Sequence, residues 1–148
     1  MNTSEVNEYC WRIPSFLGTF PSDLLPKITK LPSCLIYNND PSDQDGSHWN
    51  GLYFFEDGTV AAFDSFGREP EIINYLSENS SNIVYSPLRL QAYDSRTCGL
   101  YAIAFIFLCH FNVEYCDILN LFNSNPIFND QMIISLVNPF FEIKRFEK

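Results

Sequence analysis

Cys98 stands at the sharpest change of pattern in the chain, between the polar segment Tyr93–Thr97 and the apolar segment Gly99–Leu108. This change predicts a helix that begins at Cys98. The first turn of a helix presents unpaired N–H groups and about half a positive charge, which stabilise a thiolate and lower the pKa of the cysteine. A thiolate is the nucleophilic form of cysteine, so Cys98 is a candidate for covalent catalysis.

The chain offers two histidines as a general base for this thiol, His48 and His110. His48 directly precedes a segment with strand character, Trp49–Phe55, and a second such segment, Thr59–Asp64, follows it closely. The three-residue loop between them contains Gly58, which suits a left-handed position, so the two segments predict a β-hairpin. The hairpin therefore allows the neighbours of His48 to be predicted, which makes His48 the histidine to test as the base for Cys98.

The register of this hairpin decides whether an acidic side chain meets His48. If Phe55 pairs with Thr59, His48 and Asp64 become diagonal neighbours on one face, about 7–8 Å apart at the backbone. A hydrogen bond between them would fix the tautomer of His48 and stabilise its imidazolium. A two-residue loop at Asp57-Gly58 would instead place the two side chains on opposite faces.

Acyl transfer also needs hydrogen-bond donors for the negative charge that forms on the attacked carbonyl. The backbone N–H of Cys98 is one such donor. Gln91 lies seven residues earlier and brings a side-chain amide from a segment that can fold back beside the helix start. Trp49 and Gly99 are candidates for substrate binding, and packing beside the base is the favoured role of the Trp49 ring.

Four short motifs follow one another along most of the chain: Phe16–Phe20 (Phe-Leu-Gly-Thr-Phe), Gly46–Trp49 (Gly-Ser-His-Trp), Phe63–Gly67 (Phe-Asp-Ser-Phe-Gly), and Gln91 with Cys98-Gly99. In this order they resemble the adenovirus-type cysteine proteases and their relatives in virus-like DNA transposons. That family is part of the larger group that includes the SUMO-deconjugating enzymes.

The resemblance implies that Cys98 is the nucleophile and His48 the general base and acid. It further implies that Asp64 orients His48 and that Gln91 is an oxyanion donor. The implied fold is α+β and papain-like, with the triad in permuted chain order. In it, an antiparallel sheet packs on a central buried helix that carries the nucleophile.

Family members cleave precursor proteins at small or Gly-containing sites, or cleave after the diglycine of ubiquitin-like modifiers. The resemblance therefore predicts a cysteine endopeptidase that acts through a thioester. Two alternatives stay open: an isopeptidase for a ubiquitin-like modifier, and a catalytically inactive binding domain with a protease fold.

The composition predicts one domain over residues 1–148, since a chain of this length with 46% hydrophobic residues can bury a core. We expect a soluble, intracellular monomer, because neither a signal peptide nor a membrane-spanning segment is recognisable. The net charge of −9 argues against nucleic acid as a partner. The resemblance implies a polypeptide substrate.

No metal or organic cofactor is predicted. Five cysteines without a Cys-x-x-Cys pair indicate neither a disulfide framework nor a zinc site. Adenovirus proteases are activated by DNA and by a peptide that joins through a disulfide. We expect neither activator here, because the chain is acidic and has no cysteine between Cys34 and Cys98.

Outside the motifs, the sequence predicts a loop-rich arm over residues 1–31, with one short helix near Ser22–Leu25. A helix is predicted over Arg68–Asn79. The last helix is predicted to have Asn129 as its N-cap and to stop before Pro139.

Overall fold

The computed structural model describes the backbone of residues 1–146 and the side chains of residues 1–139, and this part of the chain forms five helices and five strands. In chain order they are α1 (Thr3–Cys10), β1 (Phe16–Pro21), β2 (Ser33–Asn38), β3 (Trp49–Phe54), β4 (Thr59–Phe63), α2 (Ile73–Asn79), β5 (Asn82–Tyr85), α3 (Cys98–His110), α4 (Tyr115–Asn120) and α5 (Pro126–Phe146). The α+β class predicted from the sequence is confirmed.

The strands form one sheet in the order β1-β2-β3-β4-β5. The central pairs β2–β3 and β3–β4 are antiparallel, whereas the outer pairs β1–β2 and β4–β5 are parallel. The prediction of an antiparallel sheet is therefore wrong at both edges. The reason lies in the connections. Helix α2 returns the chain along the sheet between β4 and β5, and residues 22–32 return it between β1 and β2. Because of each return, the following strand runs in the same direction as its neighbour.

Alternate side chains of the inner strands enter two hydrophobic layers, as the two-residue period of a strand requires. One layer packs against α2 and contains Leu35, Tyr37, Leu52, Phe54, Val60, Ala62 and Leu76. The other layer packs against α3, α1 and α5 and is the larger one. Helix α3 begins at Cys98 and most of its residues are buried, so the predicted central helix is confirmed.

Helix α3 lies directly against strand β3 at Gly51. A Cβ atom on Gly51 would lie only 2.7 Å from Cδ1 of Phe105 and 3.6 Å from the carbonyl oxygen of Ala102. The Phe105 ring also stacks on that of Phe63 in β4, with 4.9 Å between ring centroids. Because Gly51 has no side chain, α3 can approach the sheet this closely.

Residues 1–31 contain more regular structure than the predicted loop-rich arm. Asn2 and Glu5 form a capping box at the start of α1, each side chain bonding to the backbone N–H of the other. Helix α1 buries Val6 against the α3 layer, which secures it to the fold. The predicted helix near Ser22–Leu25 is wrong, because only a turn forms there, in which Leu24 N–H donates to the Pro21 carbonyl.

Two other helices differ from their predicted limits. Helix α2 begins at Ile73 and not at Arg68. The side chain that caps α5 is Asn125, whose Oδ1 accepts the N–H of Ile127 and of Phe128, so Asn129 is not the cap. Helix α5 also continues past Pro139, so the predicted stop is wrong, although a proline inside a helix removes one N–H and crowds the carbonyl four residues earlier.

Helix α5 is the longest in the described part of the chain. Within that part, neither α5 nor any other helix is both long enough and apolar enough to cross a lipid bilayer.

Replacing Gly51 with alanine should destabilise the protein by about 1–3 kcal/mol, since the new methyl group meets the Phe105 ring in a packed core. Urea unfolding of wild type, Gly51→Ala, Phe105→Leu and the double variant would measure this. The double variant should regain part of the loss, because leucine leaves room for the methyl group. Strictly additive effects, or a more stable Gly51→Ala variant, would contradict the close approach.

Candidate active site

The β3–β4 hairpin has the three-residue loop and the register predicted from the sequence. Gly51 pairs with Phe63, and beside the loop the N–H of Phe55 donates to the Thr59 carbonyl at 2.8 Å. Gly58 occupies a left-handed conformation with φ of +88°, which a residue with a side chain rarely adopts. The two open ends of the hairpin, just before β3 and just after β4, therefore lie next to each other.

At those ends, His48 and Asp64 meet. Nε2 of His48 lies 2.7 Å from Oδ1 of Asp64, and the His48 side chain is only 4% exposed. The same carboxylate oxygen accepts the backbone N–H of Phe66 at 2.8 Å, which orients the carboxylate in turn. The predicted contact between imidazole and carboxylate is confirmed. Since Asp64 uses Nε2, Nδ1 is the nitrogen that faces the thiol.

Phe66 stacks on the His48 ring, with 4.7 Å between ring centroids and 24° between the planes. Its other neighbours are Tyr93, whose ring centroid lies 6.0 Å away, and the guanidinium of Arg68. Sequence reasoning did not assign Phe66 to the site. The signal was nevertheless present, because the register that brings Asp64 to His48 also puts Phe66 opposite His48.

Asn38, the last residue of β2, holds the loop that leads to His48. Its Oδ1 accepts the backbone N–H of Asp40 at 3.0 Å and of Ser47 at 3.1 Å. The backbone carbonyl of His48 accepts the N–H of Asn39 at 3.1 Å. A polar residue at a strand end gives no distinctive sequence signal, so Asn38 was missed.

Cys98 and His48 shift each other's ionisation in opposite directions. Burial alone would raise the pKa of the Cys98 thiol. Other contacts outweigh burial and lower this pKa below the ordinary 9.0: the hydrogen bond with His48, the N–H of Trp49, the charge of His48 and the N–H of Gly99. Burial alone would lower the pKa of His48, but hydrogen bonds with Asp64 and Cys98 raise it to about 9. Both shifts favour the form of the pair in which the imidazole holds the proton and the thiol is a thiolate.

Two buried cysteines, Cys34 and Cys109, have pKa values shifted in the opposite direction. Burial raises the pKa of the Cys34 thiol to about 12 and raises that of Cys109 as well. Cys116 is exposed, and no disulfide joins any of the cysteines, all of which lie in the described part of the chain. Within the described residues, no group of three or more His, Cys, Asp or Glu side chains is arranged to hold a metal ion. Of Cys34, Cys98 and Cys109, it is Cys98 whose pKa is lowered.

Trp49 and Gly99, the predicted substrate contacts, lie on either side of the thiol. Their backbone N–H groups lower the Cys98 pKa, a role that the sequence did not reveal. The Trp49 indole N–H donates to the Met1 carbonyl at 3.1 Å. A Cβ atom on Gly99 would lie 2.7 Å from Sδ of Met1 and 3.3 Å from Cδ1 of Trp49. Their contact with a substrate stays a prediction.

Gln91 is buried beside the start of α3, but its amide already has partners. Oε1 accepts the hydroxyl of Ser65 at 2.6 Å, and Nε2 lies 3.0 Å from both the carbonyl oxygen and the Oγ of Ser95. Two acceptors of Ser95 therefore lie within hydrogen-bond distance of the Gln91 amide nitrogen. The sequence placed Gln91 near Cys98 but missed Ser65 and Ser95, because contacts between single polar side chains leave no periodic pattern.

His48, Gln91 and Cys98 line one cleft of about 640 Å³. Other parts of its wall come from the start of the chain, from β1 and from the loop before His48. Its lining includes both apolar side chains, such as Phe20 and Trp49, and many polar ones. A cleft of this size can accommodate several residues of an extended polypeptide.

A scan against protein-family models finds no match to this chain. A search of curated proteins likewise finds no sequence that matches it. Among solved structures, the chain is similar to the ASFV pS273R protease, with 18% identity and a TM-score of 0.45 over 68% of this chain. The match spans 43% of that protease. At these values the likeness does not assign the chain to a family.

Cys98 should react with iodoacetamide at about pH 6, where an ordinary thiol is almost fully protonated. Peptide mapping by mass spectrometry should find Cys98 modified first and Cys34 and Cys109 unmodified. His48→Ala should slow the modification by at least about tenfold, which corresponds to one pKa unit.

His110→Ala is the matched control, because it removes the only other histidine and should leave the rate unchanged. Equal rates for Cys98 in wild type and His48→Ala would contradict the ion pair.

Proposed function

We propose that this chain is a cysteine peptidase in which Cys98, His48 and Asp64 form the catalytic triad. The observation that carries the proposal is the His48 imidazole, bonded to Asp64 through Nε2 and paired with a Cys98 thiol of lowered pKa. An ion pair of this kind at the wall of an open cleft supplies an activated nucleophile and a nearby proton donor. Peptide-bond cleavage is the reaction that needs both.

In the proposed reaction, the thiolate of Cys98 attacks the carbonyl carbon of a peptide bond and forms a tetrahedral intermediate. Nδ1 of His48 gives its proton to the leaving amine as the carbon–nitrogen bond breaks, which leaves a thioester on Cys98. Neutral His48 then takes a proton from water, and the resulting hydroxide attacks the thioester. Cys98 departs as a thiolate and the imidazolium is restored, so no cofactor is consumed.

Two donors are proposed for the oxyanion. The N–H of Cys98 belongs to the first turn of α3, where no helical acceptor is available. The second is the Gln91 N–H that now points to Oγ of Ser95. A hydroxyl group can rotate away more easily than a backbone carbonyl can move, so this N–H is the one released to the substrate.

We further propose that residues beside the cleaved bond are small, such as glycine. The space next to the thiol supports this proposal, because a Cβ atom on Gly99 would come within 3.3 Å of Trp49. Bulky side chains in this part of the cleft would meet the indole ring.

Incubation of the protein with a library of unstructured peptides should produce cleavage sites detectable by mass spectrometry. Cys98→Ala should abolish cleavage, because the nucleophile is lost. Cys116→Ala is the matched control, since it removes an exposed thiol on α4 and should retain full activity. Cleavage that survives in Cys98→Ala would exclude the proposed mechanism.

The pH profile of kcat/KM should be bell-shaped, because both the thiolate and the imidazolium are required. Activity should rise as pH increases through the lowered Cys98 pKa, and it should fall as pH increases through about 9, where His48 loses its proton. Asp64→Asn removes a charge that stabilises the imidazolium, so the alkaline limb should move to lower pH. The rate should also fall, since loss of a triad carboxylate costs up to about 10⁴-fold.

Asp57→Asn serves as the control for this measurement, because Asp57 is an exposed carboxylate on the same hairpin, in its loop. Its profile should match that of wild type. An unchanged alkaline limb in Asp64→Asn would contradict the role assigned to the carboxylate.

A further inference from the structure

Asp130, on helix α5, accepts hydrogen bonds from both ends of the segment that joins Gln91 to Cys98. Its Oδ2 accepts the backbone N–H of Ala92 at 3.3 Å, directly after Gln91. Its Oδ1 accepts the hydroxyl of Thr97 at 3.1 Å, directly before Cys98. One side chain, only 8% exposed, thus connects the two ends of this segment.

A third donor completes the surroundings of this carboxylate. The hydroxyl of Tyr101, one turn into α3, lies 2.9 Å from Oδ1 of Asp130. No cationic side chain among the described residues forms an ion pair with Asp130. Burial of a carboxylate without a cation is costly, so these three hydrogen bonds must hold it.

Asn129, which precedes Asp130, binds the backbone directly before Gln91. Asn129 is fully buried, and its Nδ2 donates to the carbonyl of Leu90 at 3.1 Å and to that of Asn123 at 2.9 Å. Asn129 and Asp130 together attach the backbone before and after Gln91 to α5. None of the described side chains of α5, up to Pro139, lines the cleft.

We propose that Asp130 is a positioning residue that sets the spacing between the Gln91 amide and the Cys98 N–H. This inference rests on the proposed peptidase function, in which these two groups bind the oxyanion. Positioning errors of about 1 Å in such a site can reduce a rate by about 100-fold. The groups that contact the Cys98 thiol and lower its pKa are His48, Trp49 and Gly99, and none of them bonds to Asp130.

The chain provides variants that separate these effects. Asp130→Asn keeps an oxygen for Thr97 and Tyr101 but turns an NH₂ group toward the N–H of Ala92. Thr97→Val removes the other end of the connection, and Thr97→Ser restores it. Asp117→Asn is the matched control, because it makes the same exchange at an exposed carboxylate on α4.

Each variant would be measured in three ways: kcat and KM for a cleaved peptide, alkylation of Cys98 at about pH 6 where an ordinary thiol is protonated, and amide hydrogen exchange of Ala92. We expect kcat to fall by about 100-fold in Asp130→Asn and Thr97→Val. KM and the alkylation rate should stay near wild type, because alkylation needs the thiolate but no oxyanion donor. Exchange at Ala92 should accelerate in Asp130→Asn, and Thr97→Ser and Asp117→Asn should behave as wild type.

The inference would be overturned by an unchanged kcat in Asp130→Asn, or by unchanged exchange at Ala92. A parallel loss of kcat and alkylation would also overturn it, since that result indicates a general structural role. If the wild-type protein cleaved no peptide, the proposed function would fail. Unchanged exchange at Ala92 would still refute the positioning role, and accelerated exchange would still support it.

Discussion

The register between β3 and β4 is the constraint on which the candidate site depends. The pairing of Gly51 with Phe63 and the short loop at Gly58 bring His48 and Asp64 within 2.7 Å of each other. A shift of one residue would move one of the two side chains to the opposite face of the hairpin. The hydrophobic layers oppose such a shift, because every inward-facing side chain of the strands would change layers with it.

Helix α3 adds the nucleophile to this hairpin through packing, not through chain connectivity. Its approach to β3 at Gly51 determines where its first residue, Cys98, comes to lie. Once the thiol is beside His48, each group changes the ionisation of the other, and Asp64 stabilises the charged imidazole. The chemistry thus arises from two rigid elements that hold the groups in a partly buried place.

The features that follow local rules could be predicted from the sequence. The start of α3 at Cys98 is marked by a change from polar to apolar residues, and the hairpin by a glycine-containing loop. The parallel edges of the sheet could not be predicted, because strand direction depends on how the connecting segments cross the fold. The bonds of Ser65 and Ser95 to Gln91, and those of Asp130, were missed because they join single polar side chains without periodicity.

The lowered pKa of Cys98 depends on His48, a residue fifty positions earlier in the chain. An unfolded chain therefore carries five thiols of ordinary and similar reactivity, whereas folding lowers the pKa of Cys98 and raises those of Cys34 and Cys109. The reactivity of this thiol consequently reports on tertiary structure: it develops only when the hairpin and α3 have docked, and it disappears when they separate. In a newly made chain, Cys98 therefore reacts as an ordinary thiol until the hairpin and α3 have docked.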